Sequence, residues 1–217
     1  MLELQFSIIT PTYNRANIIE RAIDSLISQT FKSWELIVID DGSKDDTLSR
    51  LCRYSSNEKI KILQQTTNSG PGAARNKAIQ QAKGNYLTFL DSDDYYRPNH
   101  LEYHAQEISK DPLVDLFYGG VKIIGETEII DLENPGKMIS LHDCALAGTF
   151  FIKREVMNKV GGFPVRGFGE DFLLFQELKR QRFNIKKLSL PTYVYDRSLP
   201  DEITKNFYKK EYGEGGI

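Results

Sequence analysis

Two clusters of carboxylates in this chain could do chemistry: Asp40-Asp41 and Asp91-Ser92-Asp93-Asp94. Each follows a short apolar run, Leu36-Ile37-Val38-Ile39 in one case and Tyr86-Leu87-Thr88-Phe89-Leu90 in the other. Acidic groups crowded at one rim repel by roughly 1–4 kcal/mol per close pair at effective dielectrics of 80 to 20. A divalent cation shared with an anionic ligand removes that cost. Hard oxygen donors favour Mg2+ or Mn2+, which keep one or two carboxylates and take water and phosphate for the rest. The plainer alternative is that aspartates at strand ends shape turns and cap helices. A third acidic pair, Glu170-Asp171, stands at the expected start of a helix. The helix dipole favours acidic residues there as caps, and the same field would keep a carboxylate ionised.

Other motifs fail on their own chemistry. An EF-hand reading would use Asp91, Asp93 and Glu102, but Tyr95 stands at the fifth ligand position and Tyr96 where the loop needs Gly. Gly70-Pro71-Gly72, with Asp91 about 20 residues on, is close to a dinucleotide fingerprint, but Arg75 replaces its third Gly. No GxxxxGK[ST] loop is present. His100 and His104 share a helix face with no nearby acidic partner, which suits surface or packing roles. Cys52 and Cys144 form no CxxC and no regular spacing, so they read as buried or idle thiols.

Ligands of a parallel α/β sheet bind outside the carboxyl ends of its strands, so the elements must bring these clusters to one rim. Phe6-Ser7-Ile8-Ile9-Thr10 reads as a first strand ended by Pro11. Asn17 and Glu20 have capping-box spacing, and Ile19, Ala22, Ile23, Leu26 and Ile27 recur on one helical face. A second strand ends at Asp40, a third spans 59–63, a helix runs from Pro71 or Gly72 to Ala82, and a fourth strand ends before Asp91. After Pro98 the expectations are a helix through Leu101, His104, Ala105 and Ile108, strand segments at 113–118 and 121–124, and a polar, mobile excursion over 126–140. A strand over 147–152, a turn at 160–164 and a loop at 166–169 precede a helix over 170–181. A last strand over 185–195 is edge-like or bulged at Pro191, and a frayed tail follows.

Composition bounds the class. The chain has 217 residues, 28 basic against 30 acidic, a formal charge of −2, and 40% hydrophobic residues. That is enough to bury a core, and it sets aside disorder, collagen and coiled coil. Near-neutral charge gives no electrostatic footprint for nucleic acid. No apolar run approaches the roughly 20 residues of a membrane span, and the start lacks a signal-type segment, so the expectation is a cytoplasmic protein.

The segments taken in order resemble family 2 glycosyltransferases of the GT-A fold. The matching blocks are Ser7-Ile8-Ile9-Thr10-Pro11-Thr12-Tyr13-Asn14, Ser28-Gln29-Thr30, and 35–43 with Asp45-Asp46-Thr47. They continue through Asn68-Ser69-Gly70-Pro71-Gly72-Ala73-Ala74-Arg75-Asn76, Asp91-Ser92-Asp93-Asp94, Gly161-Gly162-Phe163 and Gly169-Glu170-Asp171. The resemblance implies a single α/β domain with a Rossmann-like, mostly parallel sheet flanked by helices. It implies a nucleotide-sugar-binding half over 1–98, an acceptor and catalytic-base half over 99–200, and a tail over 201–217. It further implies a nucleoside-diphosphate sugar donor, usually UDP-linked, with Mn2+ or Mg2+ as cofactor.

In that likeness Pro11, Tyr13 and Asp40 surround the base. Arg75 lies near the base or diphosphate, Asp91 reaches toward the ribose, and Asp93 toward the metal. Asp94 begins the following turn. Asp171 of the Glu170-Asp171 pair is the base of an inverting transfer to a hydroxyl acceptor, in polysaccharide or cell-surface glycan synthesis. No His after the last strand offers a further metal ligand. The acceptor would be a glycan or lipid-linked, the latter with peripheral association at the inner face of a membrane, although Lys205, Lys209 and Lys210 are too few to show it. A homodimer would be one way to complete specificity. A rival class is a non-catalytic nucleotide-sugar or glycan-binding module of the same fold, against which Asp93 and Asp171 both speak. A nucleotidyltransferase or dehydrogenase is opposed by the missing phosphate loop.

Overall fold

The structure, a computed structural model, describes residues 5–134, 136–165 and 169–198. Residues 166–168 of the loop expected at 166–169 and the tail with its three lysines lie outside them. The first half is a run of parallel strands and crossover helices. Strand β1 (Phe6–Thr12), helix α1 (Ile19–Ile27), β2 (Trp34–Asp40), the short α2 (Thr47–Leu51), β3 (Ile60–Gln64), α3 (Pro71–Ile79) and β4 (Tyr86–Phe89) follow one another. β1 and β2 pair in parallel from Phe6 against Trp34 to Thr12 against Asp40, so both strands stop at the same rim. β4 pairs on the other side of β1 through Ile9 against Phe89, which brings Asp91 to that rim as well.

The second half continues with β5 (Tyr95–Tyr96), α4 (His100–Lys110), β6 (Leu116–Ile124), β7 (Glu128–Ile130), β8 (Met138–Ser140), β9 (Phe151–Lys153), α5 (Arg154–Val160), α6 (Glu170–Arg180) and β10 (Ile185–Asp196). Eight strands form one mixed sheet in the order β3-β2-β1-β4-β9-β6-β10-β5. β9 runs antiparallel to both β4 and β6 and joins the two halves. Helices cover both faces of this single domain. One core cluster joins the sheet to α1 and α4 through Ile23, Leu26, Leu101 and Ile108, and the other to α3, α5 and α6 through Ala78, Val156, Leu174 and Leu178. Among the described residues no helix is long and apolar enough to cross a membrane.

Several local expectations are corrected. Asn17 does not cap α1: the amides of Ile18 and Ile19 bond to the Arg15 carbonyl instead, and Glu20 pairs with Arg53. α3 ends at Ile79 because Gln81 and Ala82 donate three residues back, in tighter turns. The two segments expected at 113–118 and 121–124 are one strand bent at Gly119-Gly120. The excursion at 126–140 is a hairpin of β7 and β8, whose turn is held where Asp131 accepts from the Glu133 amide and the Asn134 side chain. The strand expected from 147 starts only at Phe151, after a 3₁₀ turn at Ala147–Thr149. β10 is bulged, with its register against β6 shifting between Leu188 and Tyr193, but β5 lies outside it, so it is not the edge.

Candidate active site

The loop after β1 and the loop after β2 are laced together. Asn14, held at φ 53°, donates its amide to Ser43 Oγ (2.9 Å) and accepts from the Lys44 amide (2.8 Å). Tyr13, 40% exposed, lines the cleft together with Pro11. Asp40 is fully buried: one carboxylate oxygen accepts from Ser43, and Oδ2 has no hydrogen-bond partner among the described residues. It stands behind the wall of the cleft, whereas Asp41 is part of that wall. Asp41 accepts from the amides of Ser69 (2.9 Å) and Gly70 (2.8 Å), from Ser69 Oγ (3.0 Å) and from Gln65 Nε2 (2.6 Å). One carboxylate thus fastens the loop that opens α3. Gly70 sits there at φ 84°, a conformation that side chains with a Cβ avoid.

The Asp91-Ser92-Asp93-Asp94 turn divides its carboxylates between wall and core. Asp91 and Asp93 line the cleft, and the Arg15 guanidinium lies 3.7 Å from Asp93. Asp94 is buried, 1% exposed, and accepts from the Tyr193 hydroxyl and from the Asp196 amide (2.9 Å). Burial, then the charges of Asp93 and Asp91, push its carboxyl well above the usual range. Its role is therefore to anchor the turn to β10. Arg21 adds a second tie, donating to the Asp93 carbonyl and to Asp196 (2.7 Å).

Arg75 is not a solvated helix residue. It is 4% exposed, with one terminal nitrogen on Asp91 (2.6 Å) and the other on Glu170. Its stem carries the guanidinium over the Phe163 ring, 5.3 Å from the centroid. Burial opposes the charge, but Asp91 and Glu170 more than offset it and raise the guanidinium pKa. Beside this pair, Asp171 is half-buried at the first turn of α6 and accepts from the amides of Phe172 (2.8 Å) and Ala147 (3.3 Å). Burial, with the Glu170 charge second, raises its carboxyl to about 6, against the pull of these amides and Arg75. A carboxylate so poised can take a proton near neutral pH.

Pro11, Tyr13, Arg75, Asp91, Asp93 and Asp171 all line one cleft of about 880 Å³, and Asp40 lies just behind it. His100 and His104 are elsewhere and buried, His100 bonded through Nδ1 to Thr192 (2.8 Å) and His104 stacked on Phe151 at 3.8 Å. Cys52 is exposed rather than buried. Cys144 is half-buried on the cleft wall, and burial, with Asp171 next, pushes its thiol up to about 11. Arg15, Arg21, Asp41's clamp, Tyr193 and the hairpin wall escaped the sequence reading. Only Asp41, which lies inside the block 35–43, and Arg15, which follows the block ending at Asn14, carried a signal.

Among the described residues no three His, Cys, Asp or Glu side chains gather into a self-sufficient metal cage. Asp91 and Asp93, one residue apart on the same wall, fit the different pattern in which Mg2+ or Mn2+ takes one or two carboxylates and completes its shell with water and substrate phosphate.

Residues 7–165 match the family described as Glycosyl transferase family 2. The chain is 37% identical over 124 residues to the Escherichia coli UDP-Glc:alpha-D-GlcNAc-diphosphoundecaprenol beta-1,3-glucosyltransferase WfgD, a stretch covering 57% of this chain and 48% of that protein. It is 42% identical over 97 residues to the putative teichuronic acid biosynthesis glycosyltransferase TuaG of Bacillus subtilis, covering 44% of this chain and 38% of the relative. The matched stretch thus spans less than half of either relative. The structure of S. aureus TarS 1–349 in complex with UDP-GlcNAc aligns with a TM-score of 0.77 at 27% identity, over 95% of this chain and 64% of that one.

Proposed function

The chain belongs to glycosyl transferase family 2, and from that premise we propose that its cleft transfers a sugar from a UDP-sugar to a hydroxyl acceptor, with inversion at the anomeric carbon. The observation that carries the reading is the Arg75 bridge: it ties Asp91, at the end of β4, to Glu170, the neighbour of Asp171, so that the carboxylates for the donor and the candidate base face one space. The UDP-GlcNAc complex of TarS supports the donor class, and the names of WfgD and TuaG support a role in cell-surface polysaccharide synthesis.

In this mechanism Tyr13 and Pro11 flank the base, the buried Asp40 backs that pocket, and Arg75 holds Asp91 toward the ribose. Asp93, with Asp91 beside it, would hold Mn2+ or Mg2+. The bound cation would neutralise charge on the departing diphosphate. Asp171 accepts the proton of the acceptor hydroxyl while the hydroxyl oxygen bonds to the anomeric carbon. The bond from that carbon to the diphosphate oxygen breaks, and UDP leaves on the opposite face. The burial that raises Asp171 to about 6 makes it a better proton acceptor than an ordinary carboxylate while leaving it mostly ionised at pH 7.

The test is a thermal-shift series with UDP-glucose, UDP-GlcNAc and GDP-mannose, each with and without Mn2+, followed by an assay of UDP release. A UDP-sugar that stabilises only with Mn2+ and is turned over supports the reading. Stabilisation without turnover by any acceptor would make the chain a binding module instead, and no stabilisation by any of the three would refute the donor site.

A further inference from the structure

Two arginines face the acidic turn after β4, and they are held in different ways. Arg75 gives its two terminal nitrogens to Asp91 and Glu170 at hydrogen-bond distance and is locked between them. Arg15 stands 3.7 Å from the Asp93 carboxylate, with the two side chains 10% and 18% exposed. That separation is beyond hydrogen-bond reach, so attraction between the charges is what holds this pair. Both residues line the cleft.

The backbone is fixed on either side of the pair. The Arg15 amide donates to Thr47 Oγ1 (2.7 Å) and the Ala16 amide to Asp45 (3.1 Å), which pins the loop after β1 to the start of α2. The Asp93 carbonyl accepts from Arg21. The pair therefore opens by rotation of side chains, chiefly the long one of Arg15. Asp93 is also the carboxylate that suits a divalent cation, and a guanidinium already beside it repels any cation that arrives.

We propose that Arg15 couples the binding of donor and cation: in the donor-free chain it neutralises Asp93 and weakens Mn2+ or Mg2+ there, and the donor's diphosphate draws it away as the cation enters. This rests on the transferase reading above. A planar guanidinium pairs with two diphosphate oxygens as readily as with a carboxylate, so Arg15 keeps an anionic partner in both states. Metal affinity of the donor-free chain is lowered by the fraction of molecules in which Arg15 faces Asp93. By reciprocity, whatever factor the donor adds to cation affinity the cation adds to donor affinity.

The experiment measures Mn2+ binding to the full chain from the loss of the free-ion electron paramagnetic resonance signal, without UDP and with it, after subtracting Mn2+ bound by UDP in solution. Without UDP, Arg15→Met is expected to bind Mn2+ about tenfold more tightly than the native chain; with UDP the gain should vanish. The same variant should lose UDP affinity severalfold and keep its affinity for uridine, a split that a merely structural role would not produce. Arg15→Lys, which keeps the charge, should stay near the native value. Lys179→Met removes an equal charge from α6 and should leave Mn2+ affinity unaltered. Should Arg15→Met fail to fold, Arg15→Gln carries the same expectations. Equal Mn2+ affinity of native chain and variant without UDP, or an equal gain in Lys179→Met, would overturn the proposal. Thermal stabilisation of the native chain by UDP with Mn2+ tells this failure from a failure of the transferase reading, in which that stabilisation is absent.

Discussion

Arg75 stands between Asp91 and Glu170, residues that are far apart in the chain, and gives one terminal nitrogen to each. The bridge is nearly buried, with the Arg75 side chain 5% exposed, Glu170 10% and Asp91 32%. It does the work of a brace: the turn carrying Asp93 and the helix carrying Asp171 cannot drift apart without stranding a charge. Lysine offers one charge but no fork, so it reaches one carboxylate and leaves the other.

Replacing Arg75 with Ala is therefore expected to destabilise the fold by about 3 kcal/mol, the low end for a broken buried pair because Asp91 is part-exposed. Urea unfolding measures it. Arg75→Lys should recover part of the stability but little of the UDP-sugar affinity. A loss below about 1 kcal/mol for Ala would mean that the bridge braces nothing.

Asp171 makes a prediction about pH. Its carboxyl titrates near 6, and only the ionised form accepts a proton, so kcat/KM should climb through that value and level off above it. Asp171→Asn should lower turnover by about 10²–10⁴-fold while UDP-sugar still raises Tm. The stability sign is opposite: a carboxyl raised above its unfolded value binds protons more tightly when folded, so its contribution to stability declines from about pH 4 to about 6. The Asn variant should lack that decline. A profile flat across pH 5–7 would remove Asp171 from the chemistry.

Tyr193 and Asp94 hold the acidic turn from behind. Tyr193→Phe leaves a buried carboxyl with one fewer donor and should cost about 1–3 kcal/mol. Since the turn carries Asp93, the Mn2+ concentration for half-maximal activity should rise as well. A variant equally unstable but with unaltered metal dependence would reduce Tyr193 to a packing residue.

His100 and His104 set the acid limit. Both are buried, and burial holds His104 down to about 4 and His100 well below its usual value, with charge from the neighbouring histidine adding to the shift of His100. A histidine whose folded pKa is depressed gives stability that is present above about 6.5 and is lost as pH falls toward 4. His104→Phe, which keeps a ring against Phe151, should flatten that loss in urea titrations at pH 4–7. An unchanged slope would assign acid unfolding to other groups.

The parallel half of the sheet was legible because its short apolar runs stop at Asp40 and Asp91, and the strand ends coincide in space. The wall residues Pro11, Tyr13, Arg75, Asp91, Asp93 and Asp171 followed from motifs read in order. Their electrostatics did not. Whether Arg75 is solvated or buried depends on Glu170, and whether Asp94 shapes a turn or anchors one depends on Tyr193; both partners are remote in sequence. The hairpin was missed for a different reason: its strands are three residues each, too short for alternation to show, inside a polar stretch. α5 was missed because Arg154–Val160 makes barely two turns and follows β9 without a loop.

The antiparallel strand β9 also governs the order in which the chain can assemble. The four strands β1 to β4 are complete once Phe89 has been made, yet the outer edge of β4 has no partner until Phe151–Lys153 arrives. At about 5–20 residues per second, a ribosome leaves that edge open for about 3–12 seconds. An unpaired edge is a template for another chain. The strand that joins the two halves of the sheet therefore sets how long the β4 edge stays open, and soluble yield is expected to depend on translation speed.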